Sequence, residues 1–129
     1  MATMTQKSLY ELHAEHREWL NKLAFYSDEI KYMTGRLSEV TVKNTAQEVL
    51  AQSEHFQNQF IIQNNHIDNL RHEIKTQEKL ITVNINSNPV AVDHRKMNDH
   101  VDERNAVEQF EKIFNELRRE FLVWLGKVM

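Results

Sequence analysis

The stretch LYELHAEHREWLNKLAFYSDEIKYMTGRL, residues 9–37, decides the fold. Leu9, Leu12, His16, Trp19, Leu23, Tyr26, Ile30, Met33 and Leu37 recur at alternating steps of three and four. Only a helix keeps such residues on one side, and steps sustained this long make an a/d seam of the coiled-coil kind. Ser8 and Glu11 have the spacing of a capping box, so the helix is expected to start there. Gly35 is placed to let the chain leave it.

Two further segments repeat the pattern. From about Thr45, which has capping-box spacing to Glu48, a stripe runs through Val49, Ser53, Phe56, Phe60, Gln63, Ile67, Leu70, Ile74, Gln77 and Ile81. Its polar members weaken it, and Asn64–Asn65, poor helix formers, mark a place for a kink or break. The segment VNINSNPVAVDH, residues 83–94, interrupts the pattern, with Asn88 as N-cap and Pro89 at the first helical position. A third stripe then carries His100, Glu103, Val107, Phe110, Phe114, Leu117, Phe121, Trp124 and Val128.

Short connections make successive helices antiparallel neighbours. The expected fold is therefore all-α, an up-down-up bundle of three long helices, or four if the second segment breaks near residues 64–65. Residues 1–129 make one domain, with 40% apolar residues to build its core. Two glycines and one proline are too few for a turn-dense β fold. Residues 60–62 (FII) and 121–125 (FLVWL) widen the apolar stripes, which suits a globular bundle or a homodimer face.

Composition also bounds the chemistry. Without cysteine, disulfides, iron–sulfur clusters and thiolate nucleophiles are excluded. A net charge of −3, with both signs interleaved, gives no footprint for nucleic acid. The longest strongly apolar run, FLVWL, is far too short to cross a membrane, and MATMTQKSLYEL lacks a signal peptide's apolar core. A cytoplasmic protein without a membrane partner is expected. No nucleophile elbow or phosphate-binding glycine loop is present, so an enzyme is not expected, and catalysis would be possible only through a bound metal.

The histidines carry what chemistry there is. With bends placed near residues 40 and 86, helix geometry gathers His13, His16, His66, His72 and His100 toward one end, with His94 nearer the second bend and His55 apart. The other end collects Phe25, Tyr26, Val49, Leu50, Phe121, Trp124 and Leu125. Imidazole and carboxylate suit zinc or iron, and helix bundles build such sites from facing helices. His13, His16, His66 and Glu108 are the candidate ligands of a divalent metal, with His72, His100 and Gln63 as further candidates. The usual signatures are missing: there is no Glu-x-x-His, no His-x-x-x-His and no His-x-x-x-Glu, and the closest fragment is His94 with Asp99. Crowded imidazoles would also resist charging, so that protonation near pH 6 loosens that end. The expected function is nonetheless that of a protein-interaction or structural module that self-associates, its seam histidines hydrogen-bonded core residues that fix register, with the metal-binding bundle as the alternative.

Residues 72–76, HEIKT, are similar to the phosphoacceptor box of sensor histidine kinases. That resemblance implies His72 as phosphate acceptor and Glu73 as the neighbouring acid–base group. It spans these residues alone, and Arg71 and Gln77 stand where the box usually has serine and proline.

Overall fold

A computed structural model describes the backbone of residues 2–87 and 94–129 and the side chains of residues 10–83 and 99–129. Three helices account for nearly all of it: α1 (Ala2–Lys43), α2 (Gln47–Ser87) and α3 (His94–Val128). At 1.5 Å per residue, α1 and α2 are each about 60 Å long. They run antiparallel, and α3 returns alongside α1, so the bundle is up-down-up. No described helix is long and apolar enough to cross a membrane.

The three-four stripes are the core. Trp19, Leu23, Ile30, Met33, Leu37 and Val40 of α1 are buried against Phe56, Phe60, Ile67 and Ile74 of α2 and Val107, Phe110, Phe114, Leu117 and Phe121 of α3, and Leu12 of α1 is buried as well. Burying one such side chain is worth about 1.5–3 kcal/mol, so the stripes outweigh local preferences for other conformations. At one end Phe56, Phe60, Phe121 and Trp124 form a cluster of rings with centroids 5.1–6.3 Å apart. Phe25 and Leu50, expected in that apolar end, are exposed instead.

Several local expectations are corrected. Helix α1 starts at Ala2, so Ser8 lies inside it and cannot cap its start. Gly35 does not end the helix either: it lies on the exposed side with nothing within 4 Å of where a Cβ would stand. The chain turns at residues 44–46, after the weak helix formers Thr41 and Val42. There the Asn44 side-chain amide donates to the carbonyl of Val40 at 2.9 Å, satisfying one of the free carbonyls of the helix end. Helix α2 begins at Gln47, with Glu48 favourably placed against its positive end. It runs unbroken through Asn64–Asn65, since two asparagines cost only about 1 kcal/mol of propensity while Phe60, Gln63 and Ile67 around them are buried. Among the described residues the bundle thus has three helices, not four. The Asn88–Pro89 cap and the side chain of His94 lie outside the described residues.

Charge sets the pairing of α1 with α3. Arg104 donates twice to Glu15, at 2.9 and 2.6 Å; Lys22 pairs with Glu111 at 3.3 Å; Arg118 pairs with Glu29 at 3.2 Å. These pairs recur once per heptad on both helices, and their polarity alternates. Sliding α3 by one heptad would place Glu15 against Glu111, and Lys22 against Arg118.

Gly35→Ala is expected to stabilise the protein by about 0.5–1 kcal/mol, because the site is helical, open and without positive φ. Urea unfolding followed by circular dichroism measures this. An unchanged or lowered midpoint would show that residue 35 is not held in a helix in solution.

Candidate metal centre

The heptads nearest the start of α1 carry polar residues at seam positions, and the packing that buries Trp19 and Leu23 buries them too. His16, His100 and Glu103 are 0%, 1% and 4% exposed. One ligand atom from each lies within 4.8 Å of the others. Their rings pack closely: His16 and His100 centroids are 5.0 Å apart, and Trp19 stacks on His100 at 4.8 Å.

Each imidazole is gripped from its far side. His16 donates through Nδ1 to Glu78 Oε2 of α2 at 2.6 Å, and the other Glu78 oxygen meets His13 Nδ1. His100 donates through Nε2 to Glu15 Oε1 at 3.2 Å, and Glu15 is itself clamped by Arg104. Among the described residues, that leaves His16 Nε2, His100 Nδ1 and both Glu103 oxygens buried without a hydrogen bond. His16 Nε2 stands 3.6 Å from Glu103 Oε2, an ion-pair distance too long for a hydrogen bond.

The two imidazoles titrate in opposite directions. Burial pushes His16 down, but the Glu103 and Glu78 carboxylates outweigh it and hold its pKa above the ordinary value. Burial lowers the pKa of His100, with His16 and Arg104 adding to the shift and Glu15 opposing it. The expectation that the crowded imidazoles would all resist charging is therefore corrected: His16, flanked by carboxylates, favours its proton. For Glu15 the Arg104 hydrogen bonds dominate and depress the carboxyl, against a smaller opposing effect of burial.

The candidate ligands separate into two groups. His13, His16 and His100 reach the cluster, directly or through Glu78. His66 does not: it is exposed, lines a groove between α2 and α3 beside Leu70 and Phe110, and sits about 18 Å along α2 from Glu78. His72 and Glu108 are exposed as well. Gln63 is buried with its Oε1 unpaired, but lies about 22 Å along α2 from Glu78. The cause is the bend: moving it from residue 40 to residues 44–46 slides the facing positions of α1 and α2 by about ten residues, so His13 meets Glu78 where His66 was expected. Glu78, Glu15 and Glu103 were missed as site residues. Glu103 had a signal, since it follows His100 by three and shares its seam; Glu78 and Glu15 flank their seams and had none.

Compared with known proteins, the chain matches no family model, no curated protein and no solved structure.

Glu15→Gln is expected to lower stability at pH 7 by up to about 1 kcal/mol, a modest effect because water screens the Glu15–Arg104 pair. Since the folded carboxyl titrates below the ordinary value of 4.5, its contribution is complete above that value and is lost as the pH falls through the lower folded pKa. Melting curves of parent and variant should differ at pH 7 and converge in strong acid; a gap independent of pH would remove the ion pair as its source.

Proposed function

We propose that the protein is a metal-binding helical bundle that holds a divalent transition ion, zinc or iron(II), between α1 and α3. His16 Nε2, His100 Nδ1 and the Glu103 carboxylate are its protein ligands. One observation carries the reading: three buried groups converge with their ligand atoms unpaired among the described residues, while the opposite nitrogen of each imidazole donates to a carboxylate. That outer carboxylate fixes the tautomer that leaves the inner nitrogen free to bind an ion. Two imidazoles and one carboxylate suit borderline ions better than calcium or a soft monovalent ion. Ligand distances of about 2.1 Å require the set to contract by about 1 Å. Three protein ligands leave a further position for water or another small ligand. A cytoplasmic setting belongs to this reading.

Titration of metal-free protein with zinc is expected to raise the melting temperature by about 10 °C at a hundredfold excess over Kd, from about 2.7 kcal/mol of linkage. Glu103→Gln keeps the shape of the side chain and should abolish the shift while leaving the helical spectrum intact. If zinc, iron(II), cobalt(II) and manganese(II) all leave the melt unchanged, the reading fails.

A second reading rests on a different observation. The groove between α2 and α3 is lined by apolar Leu70, Ala106 and Ile113 over the buried Phe110, as a protein-interaction or structural module that pairs with a second copy would need. Sedimentation should then show a dimer at micromolar concentration that Ile113→Lys dissociates; a monomeric parent removes self-association.

A further inference from the structure

His13 has no place among the inner ligands, yet among the described histidines it alone joins them to solvent. The Glu78 carboxylate touches His13 with one oxygen and His16 with the other. Side-chain exposure falls along this path from 44% at His13 to 20% at Glu78 and 0% at His16. A hydrated ion meets an obstacle at such a buried set, because every water it sheds before a protein donor replaces it raises the barrier. An imidazole and a carboxylate at a partly exposed position remove that obstacle by exchanging waters one at a time.

Resting on the metal-binding reading above, we infer that His13 and Glu78 form a solvent-side loading site for a divalent transition ion. The ion exchanges its first waters for His13 Nδ1 and a Glu78 oxygen. It then passes the His16 ring to reach the inner nitrogens and Glu103. Once the ion is seated, His13 returns to its contact with Glu78, and Glu78 resumes holding His16 Nδ1. His13 is thus absent from the final coordination sphere. Its removal changes the barrier and leaves the end states alone, so association and dissociation slow by the same factor.

The test is zinc binding to the full-length chain, followed by stopped flow in both directions: mixing with zinc for association, and mixing loaded protein with excess chelator for release. His13→Gln keeps a hydrogen-bond donor for Glu78 but supplies a poor zinc ligand. Both rate constants are expected to fall about tenfold while Kd stays within about twofold, since the seated ion keeps all its ligands. Unchanged rates would overturn the loading role. So would a Kd weakened about tenfold or more with release accelerated, because His13 would then be a resident ligand. A parent protein that binds no zinc at equilibrium removes the metal-binding reading itself, which separates that failure from failure of the loading role.

Discussion

The pairing of α1 with α3 at one register is the constraint on which the rest of the molecule depends. Apolar seams with a seven-residue period still face one another after a slip of one heptad, so the hydrophobic period by itself does not single out the alignment. The alternating ladder Glu15–Arg104, Lys22–Glu111 and Glu29–Arg118 does choose it. Each pair is worth little in water, but a one-heptad slip would exchange attractions for repulsions between like charges. The same alignment brings His16 level with His100 and Glu103. A slip would carry those two residues about 10 Å away and leave three isolated buried polar groups. Arg104 connects both roles, since it clamps the Glu15 carboxylate that accepts from His100.

Helix number and inner faces were legible in the sequence because burial imposes a period that few other constraints disturb. The seam from Val49 to Ile81 held even at Ser53, Gln63 and Gln77, which are buried or half-buried in the observed helix. Bend positions were far less legible. Gly35 resembled a helix end, yet on an open helical surface a glycine costs only about 1 kcal/mol, less than the burial of Leu37 and Val40 beyond it provides. That one displaced bend moved every cross-helix pairing between α1 and α2. It explains why His16 and His100 were correctly placed at one end of the bundle, while His66 was assigned to the wrong height. Glu78 was illegible for another reason: beside the seam, in a chain rich in surface glutamate, nothing in the pattern distinguishes a carboxylate that reaches inward from one that is solvated.

The cluster is also costly, and its arrangement shows what would offset that cost. Burying a polar atom without a hydrogen bond is worth roughly 1–3 kcal/mol of lost stability, and a seam of leucines at positions 16, 100 and 103 would avoid it. The cluster is not alone in favouring this register, because the charge ladder favours it too. Nor do the carboxylates balance one another: Glu78 and Glu103 both face His16 from opposite sides of its ring. A carboxylate on each side demands positive charge between them. A proton on the His16 ring would be the smallest cation to meet this demand, consistent with its raised pKa, but it would leave His100 Nδ1 and both Glu103 oxygens without a hydrogen bond among the described residues. A cation with several coordination positions would engage all of these atoms at once. On the metal-binding reading proposed above, an ion would use the very atoms that a proton on the His16 ring would leave unpartnered among the described residues.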